Sequence, residues 1–353
     1  MFEIFKTINV DWMGKRKIFI TLSIFVLLAG LGSAVGRQFS EGGTDSFNLG
    51  VDFRGGTVVT AKFREKPNVE AVRNALNGVG IGESIIQDST DKTDEVLIKV
   101  PNIGRRDDCP DADEAGRCMV KRALDTLGKE AEGAASLADD ASAGYKIVGT
   151  DSVGPVAGAQ LRNQAVIATL LGLAGILFFI AFRYDWTYAA GAVIAVFHDV
   201  LVTLAFFSVF QWEVSLTVLA ALLTLVGFSV NDSIVIFDRI RENLTLHRGE
   251  SLYKLTNDSI NQTMSRTIVT NGLVFLSVLA LVLFGGEVLR GFSLALFVGS
   301  ITGTYSTIAI ASPIAIWWQG RLGEAQIKEV DIPKAEKLAS ASRRPVSRRP
   351  VTR

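Results

Sequence analysis

The chain has 353 residues, of which 48% are hydrophobic, and its mean hydropathy is +0.32. This composition is too apolar for an ordinary soluble protein and predicts several membrane spans beside a polar domain. The formal net charge is zero. The charges are nevertheless unevenly distributed, because acidic residues gather between residues 45 and 151 and the C-terminal segment is basic.

A short basic segment, residues 1–17, precedes an apolar run from Ile18 to Val35. A basic start, an apolar run and small residues at its end are also features of a signal peptide. The run of about 18 residues is longer than a usual signal-peptide core, so we predict a retained membrane helix over residues 18–36. Gly32 and Gly36 have the GxxxG spacing that permits close helix packing.

Residues 37–162 are polar and show the pattern of a folded α+β domain. Segments with strand-like alternation and segments with helical spacing follow one another in the order β-α-β-β-α-β, which is the ferredoxin-like order. The predicted elements are a strand at Thr57–Phe63, a helix at Pro67–Val79, strands at Glu83–Asp88 and Glu95–Val100, a mostly helical segment at Ala112–Ala138 and a strand at Tyr145–Asp151. This domain lies between the first and second predicted spans.

Five further apolar segments within residues 163–320 predict membrane helices two to six. They are Val166–Phe182, Tyr188–Phe207, Val214–Phe237, Thr267–Phe284 and Leu294–Trp318. Residues 321–353 are rich in Lys, Arg and Pro and have almost no apolar periodicity, so we predict a disordered basic tail.

Basic residues in the short loops predict the orientation. The N-terminus, the loops after the second and fourth spans, and the tail hold most of the Lys and Arg, whereas the loop after the third span has none and the loop after the fifth has only Arg290. Because basic loops remain in the cytoplasm, we predict that both termini are cytoplasmic and that the domain at residues 37–162 is extracytoplasmic.

The fourth predicted span places Asn231 and Asp232 inside an apolar run, ahead of the charged residues that begin at Asp238 and mark the water boundary. Six residues of α-helix rise about 9 Å, so Asp232 lies well inside the membrane. A carboxylate at that depth costs about 2.5–3.5 kcal/mol on insertion scales and commonly marks an ion pathway. The alternative is a packing residue that hydrogen-bonds a neighbouring helix.

Other polar residues lie at similar depths. Arg266 opens the fifth span and can pair with Asp232, although a snorkelling interface residue is an equal alternative. His198 and Asp199 lie near the middle of the third span. A lone His there is more often a packing group than a proton relay, but the adjacent Asp favours a function, so we assign both residues to a proton pathway. Adjacent residues are about 100° apart on a helix, so they cannot both face one partner squarely. We predict that Asn231 belongs to the same pathway and forms an interhelical hydrogen bond.

The segment GVDFRGGT, residues 50–57, stands at the entry to the polar domain. Its glycines, Gly50, Gly55 and Gly56, permit tight backbone turns. We predict that Asp52 within it is structural rather than catalytic.

The two cysteines, Cys109 and Cys118, both lie in the polar domain. If that domain is periplasmic they can form a disulfide that closes a short loop, and two free, partly buried thiols are the alternative. The sequence shows no nucleophile elbow, phosphate loop or metal-ligand pattern. We therefore predict that the protein is not an enzyme and has no cofactor or metal site.

Several motifs resemble the SecF family of protein-export membrane proteins. They are DWMGKRK at 11–17, GVDFRGGT at 50–57, HDV at 198–200, VGFSVNDSIVIFDRIREN at 226–243 and SRTIVTN at 265–271. The resemblance extends to about Trp318 and leaves out the basic tail and the segment from Cys109 to Cys118. The SecF family is similar in plan to half of a resistance-nodulation-division transporter.

The resemblance implies a bacterial inner-membrane protein that works with SecD and the SecYEG channel and uses the proton-motive force to assist preprotein export. It also implies that Asp232 and Arg266 are proton-path residues. Its expected surroundings are the lipid bilayer and a translocating preprotein, with no nucleic acid. Two alternative functions are a half-size resistance-nodulation-division-type exporter of lipid or drug and a non-transporting scaffold of a channel complex.

Overall fold

Helices dominate the structure, a computed structural model that describes residues 9–39, 45–65, 67–88, 94–103, 109, 114–183, 186–247 and 249–322. Of the predicted basic tail, residues 321–353, the first two residues end the last helix and the remainder lies outside the described residues.

Within these described ranges, six helices are long and apolar enough to cross a membrane, which confirms the predicted multi-span architecture. The first five are α1 (Arg16–Phe39), α5 (Pro155–Arg183), α6 (Trp186–Phe210), α7 (Leu216–Leu246) and α8 (Leu252–Phe284). The sixth runs from α9 (Gly286–Ser306) through a π-helical turn (Thr307–Ala311) into α10 (Ser312–Leu322).

The fourth and fifth spans extend further than their apolar segments. Helix α7 continues nine residues beyond Phe237, and α8 begins 15 residues before Thr267. Most of the predicted loop between these spans is therefore helical, because hydropathy marks where a helix leaves the membrane rather than where it ends. Ser251 caps the start of α8 through a hydrogen bond from the Lys254 backbone N–H to its hydroxyl.

Small residues let the helices of the bundle approach closely. A Cβ added at Gly191 of α6 would lie 2.8 Å from the Ala311 carbonyl oxygen, and one added at Gly30 of α1 would lie 2.1 Å from the Ala205 Cβ. The close approach of α1 therefore depends on Gly30. The predicted GxxxG pair is not used within the described residues, since added Cβ atoms at its two glycines meet nothing within 4 Å.

The domain between α1 and α5 contains a four-stranded antiparallel sheet in the strand order β3-β4-β2-β5. Its elements are β2 (Gly56–Phe63), α3 (Val69–Gly78), β3 (Ile85–Asp88), β4 (Glu95–Pro101), α4 (Ala115–Leu124) and β5 (Tyr145–Val153). They follow one another in the predicted order β-α-β-β-α-β. Alternate strand residues point to one face and join side chains of both helices in a separate apolar core, including Val59, Ile98, Leu76 and Val120.

The helix predicted over Ala112–Ala138 is too long, because the described part of this segment leaves the helix after Leu124. The chain then turns back onto the edge of β5. A Cβ at Gly128 would lie 3.3 Å from the Gly144 Cα, and the Ala131 N–H donates to the carbonyl of the first residue of β5 at 2.9 Å. Tertiary contacts thus override a local preference for helix.

Two links fix α4 within this domain. A disulfide joins Cys109 to Cys118, with Cα atoms 6.2 Å apart. The Tyr145 hydroxyl donates to the Asp125 carboxylate at 2.8 Å, next to the last turn of the helix. Burial, followed by the contact with Asp125, raises the pKa of Tyr145.

Residues 9–15, here called the N-terminal strap, lie across the beginning of α8. Asn257 Oδ1 accepts from the Trp12 backbone N–H at 2.9 Å, and Asn261 Oδ1 accepts from the Trp12 indole N–H at 3.0 Å. Both asparagine amides donate to the Val10 carbonyl at 3.1 Å. Two side chains one helical turn apart therefore hold the strap by its own backbone hydrogen-bonding groups.

Candidate functional site

Asp232 lies on the bundle-facing side of α7, with only 4% of its surface exposed. It is 16 residues beyond Leu216, the first residue of α7, or about 24 Å along the helix. The Asn271 amide of α8 donates to Asp232 Oδ2, and the same amide nitrogen lies 2.7 Å from the Thr304 hydroxyl of α9. Three helices therefore meet at this carboxylate.

Arg266 does not contact Asp232 directly. No hydrogen bond or ion pair joins them among the described residues, although Arg266 is within electrostatic range. Arg266 is exposed and lies five residues before Asn271, which turns it about 140° around the α8 axis from the side chain that reaches Asp232. The sequence left open a direct pair between Arg266 and Asp232. In the structure the Asn271 amide contacts Asp232 instead, and the Arg266 guanidinium lies farther away.

The predicted interhelical hydrogen bond of Asn231 is wrong. The Asn231 side chain is exposed on the outer side of the bundle. Because Asp232 takes the bundle-facing position, its neighbour about 100° around the helix must point elsewhere. Asp238 is also exposed, as expected for a charge at the water boundary.

Asp199 forms the centre of a second buried polar cluster and is completely inaccessible to solvent. The hydroxyls of Ser229 on α7 and Ser306 on α9 donate to its Oδ2 at 2.6 and 2.8 Å. His198 Nδ1 lies 3.1 Å from Asp199 Oδ1. The His198 and Asp199 side chains thus contact each other, and Asp199 is tied to two other helices.

The two clusters meet on one turn of α9. Thr304 belongs to the Asp232 cluster and Ser306 to the Asp199 cluster, while the Ser233 and Thr307 hydroxyls lie 3.2 Å apart between them. The π-helical turn begins at Thr307, and such turns inside helices frequently mark functional sites. A rearrangement of this turn would alter the hydrogen-bonded surroundings of both carboxylates.

Sequence reasoning missed the residues that hold these carboxylates. Asn271 lies inside the SRTIVTN motif, but its role requires knowing which face of α8 packs on α7. Ser229 and Ser306 look like ordinary small residues of membrane helices, and only their buried positions identify them. Within the described ranges, no three His, Cys, Asp or Glu side chains are grouped so as to hold a metal ion.

The GVDFRGGT segment needs its paired glycines for conformational reasons. Gly55 has φ +77° and Gly56 has φ +142°, where a side chain is unfavourable. A Cβ on Gly56 would also lie 2.5 Å from the Val100 carbonyl oxygen. Asp52 and Gly50 each hydrogen-bond the segment that leads into α7. These contacts hold the motif against the start of α7, and its structural role stays a prediction.

The fold and the buried clusters define a multi-pass membrane protein whose helix bundle encloses ionisable side chains. The family model described as protein export membrane protein SecD/SecF, C-terminal, matches residues 134–321, and the SecD/SecF GG motif matches residues 47–66. The chain belongs to the SecD/SecF family of protein-export membrane proteins. This confirms the resemblance drawn from its motifs.

Relatives and solved structures agree with this assignment. The protein translocase subunit SecF of Koribacter versatilis is 37% identical and aligns with 92% of this chain and 96% of its own length. The SecDF subunit of Thermus thermophilus is 39% identical over 88% of this chain but 39% of its own length. The crystal structure of SecDF from that organism, described as a translocon-associated membrane protein, superposes with a TM-score of 0.72 at 35% identity. It is matched over 91% of this chain, which spans 40% of the solved one.

Proposed function

We propose that this chain is a SecF-type accessory subunit of the Sec translocase that works with SecD and SecYEG and couples the proton gradient to preprotein export. The relatives matched along nearly their whole length are translocase subunits SecF. In Thermus thermophilus a single chain carries the name SecDF and contains a region similar to this one. The role is that of a transport subunit rather than an enzyme.

The outer side of the bundle supports a partner within the membrane. Asn231 and Arg266 are both exposed on helices that are apolar enough to span the bilayer. Polar and charged groups facing lipid are costly, and a neighbouring helical subunit would cover them. SecD is the subunit that we place there.

The observation that carries the proton-coupled part is the environment of Asp232. This buried carboxylate has one neutral partner, Asn271, and a guanidinium that is near but not in contact. An amide can serve both protonation states, because its nitrogen donates to a carboxylate and its oxygen accepts from a carboxylic acid. Proton uptake would therefore replace the hydrogen bond from the Asn271 nitrogen by a hydrogen bond to the Asn271 oxygen. This change would also disturb the contact between Asn271 and Thr304. Arg266 would bias the exchange.

We place the protein in the inner membrane with both termini cytoplasmic and its ferredoxin-like domain, residues 37–162, in the periplasm. The disulfide between Cys109 and Cys118 supports an oxidising surrounding for that domain. A reporter active only outside the cytoplasm should work when fused near Asn102 and fail when fused near Leu252. The opposite pattern would overturn this orientation.

The function is tested by reconstituting preprotein translocation in inverted vesicles with and without this chain, each with and without a proton gradient. SecD is present throughout, and its copurification with the chain is measured in parallel. We expect gradient-dependent stimulation only when the chain is present. A stimulation that is independent of the gradient would favour the scaffold, and export of lipid or drug with no effect on preprotein would favour the half-size exporter.

A further inference from the structure

The segment that precedes the α+β domain is joined to the segment that precedes α7. Strand β1 (Asn48–Leu49) pairs in parallel with β6 (Glu213–Val214). The Gly50 N–H then donates to the Val214 carbonyl at 2.9 Å. We call residues 48–56 together with residues 213–216 the joint. The residues that pair between its two strands are 165 positions apart in the sequence.

Asp52 provides the contact within the joint that reaches α7 itself. It belongs to the short helix α2 (Val51–Arg54), and its Oδ2 accepts from the Leu216 backbone N–H at 2.9 Å. The first backbone N–H groups of a helix lack partners within the helix, and a carboxylate there also interacts favourably with the helix dipole. Ser215, at the N-cap position of α7, makes no side-chain capping bond. Asp52, from a distant part of the chain, therefore accepts a hydrogen bond from the first turn of α7, where the local residue Ser215 accepts none.

The joint is also tied to the sheet. Lys99 of β4 forms an ion pair with Glu213 of β6, and both side chains are partly buried. Phe53 packs in an apolar cluster with Phe207 and Val218. On the opposite side, a Cβ at Gly158 of α5 would lie 3.0 Å from the Gly55 backbone nitrogen. The start of α7 is thus connected to the sheet by hydrogen bonds, an ion pair and packing.

We propose that Asp52 is a positioning residue that fixes the start of α7 to the external sheet, so that α7 and the domain move as one body. A displacement of α7 at Asp232 would then be transmitted about 24 Å along a rigid helix to the domain. This inference rests on the proposed function, which gives Asp232 the gradient-dependent step. Asp52 would not touch the proton, and its effect would arise only through the placement of α7.

The first test compares two substitutions at Asp52 in the vesicle translocation assay, with SecD present. Asp52→Ala removes the acceptor, whereas Asp52→Asn keeps an oxygen that can accept from Leu216. We expect Asp52→Ala to lower the gradient-dependent part of translocation about fivefold, the size of a typical capping loss, with Asp52→Asn retaining most of it. Gradient-independent translocation and the amount of membrane-inserted protein should stay the same in both variants.

Asp45→Ala is the matched control, because Asp45 is an exposed acid that pairs with Arg54 in the same region without reaching α7. It should keep the full gradient response. If Asp52→Ala also keeps it, the positioning role is overturned. Asp232→Asn is measured in parallel. If that variant retains its stimulation, the assignment of the gradient-dependent step to Asp232 fails and this inference fails with it, whereas retention by Asp52→Ala alone overturns only the inference.

The second test closes the joint covalently. Leu49 and Val214 are register partners, so Leu49→Cys with Val214→Cys allows a disulfide between β1 and β6. If α7 and the domain move as one body, the oxidised form should keep its gradient response, and it should restore the response in the Asp52→Ala background. Wild-type protein under the same oxidising and reducing conditions is the control. Loss of the response on oxidation and recovery on reduction would show that the joint opens during the cycle and would overturn the proposal.

Discussion

Two carboxylates lie inside the same helix bundle, and their surroundings differ. Asp199 is inaccessible to solvent and has three polar side chains around it, from Ser229, Ser306 and His198. Among the residues that the structure describes, Asp232 has a single hydrogen-bonded side chain, that of Asn271. The difference is in the number of partners rather than in burial, because both carboxylates are less than 5% exposed.

The number of donors determines how easily a buried carboxylate can change its protonation state. Proton uptake at Asp199 disturbs contacts on three helices, and each buried donor left without an acceptor costs about 1–3 kcal/mol. Proton uptake at Asp232 disturbs one contact, to an amide that can reverse its role. The contacts therefore favour Asp199 as a fixed support and Asp232 as the adjustable site. The assignment of His198 and Asp199 to the proton path stays a prediction.

The largest expected effect is that of Asp232→Asn, because an amide of nearly the same shape cannot ionise. Gradient-dependent translocation into inverted vesicles should be lost completely, while insertion and SecD binding persist. Asp238→Asn makes the same chemical change at the exposed boundary and should leave translocation unchanged. A full gradient response in Asp232→Asn would show that Asp232 is not the adjustable carboxylate and would move the proton site to His198 and Asp199.

The next largest effect is expected from Arg266→Met. Removing a guanidinium within electrostatic range changes the balance between ionised and neutral Asp232 by on the order of 1 kcal/mol or more, so the gradient response should fall about fivefold. Arg266→Lys keeps the charge and is the control. Since both residues act in one unit and Asp232→Asn already lacks the gradient response, adding Arg266→Met to that variant should leave its remaining, gradient-independent translocation unchanged. A further loss of gradient-independent translocation in the double variant would place Arg266 outside the site.

Asp199→Ala should instead lower stability. Ser229, Ser306 and His198 lose their common acceptor, and we expect a loss of about 2–4 kcal/mol in the free energy of unfolding. Thermal unfolding in detergent measures it, and Asp199→Asn should recover part of the loss because its amide oxygen still accepts a hydrogen bond. Loss of the gradient response at unchanged unfolding temperature would show that Asp199 is adjustable after all.

A smaller effect comes from Tyr145, which offers a fixed polar contact outside the membrane-spanning helices. Its pKa is raised by burial and by Asp125, so the contact stabilises the folded domain fully below about pH 10, the unfolded value. This contribution is lost as the pH rises towards the folded pKa, with a slope of at most about 1.4 kcal/mol per pH unit. Tyr145→Phe should flatten that part of the stability profile. An unchanged profile would show that Tyr145 does not titrate differently on folding.

The comparison also shows what the sequence could reveal about the site. Asp232 was predictable because a charge in an apolar run is rare enough to stand out. Asn271 and Ser306 were not, because their partners depend on how α8 and α9 are rotated against α7. Asn231 was wrongly given an interhelical bond for the same reason. One amide in an apolar run does not indicate which side of its helix is covered.

The same limit appears in the fold. Six spans follow from apolar length, and the order of strands and helices in the polar domain follows from local periodicity. After α4 ends at Leu124, the chain brings Gly128 against Gly144, a contact that no local pattern contains. The contact between Asp52 and Leu216 is likewise invisible to local reasoning, because 164 residues separate its two ends.

The N-terminal strap has a consequence for how the protein is made. Its hydrogen bonds to Asn257 and Asn261 join residues 244–251 positions apart. A chain emerges from the ribosome N-terminus first, so α1 enters the membrane long before α8 exists. The strap can close only after the beginning of α8 has been synthesised. Until then the segment that leads into the first helix lacks this anchor, so the start of the chain is fixed in place late in its own synthesis.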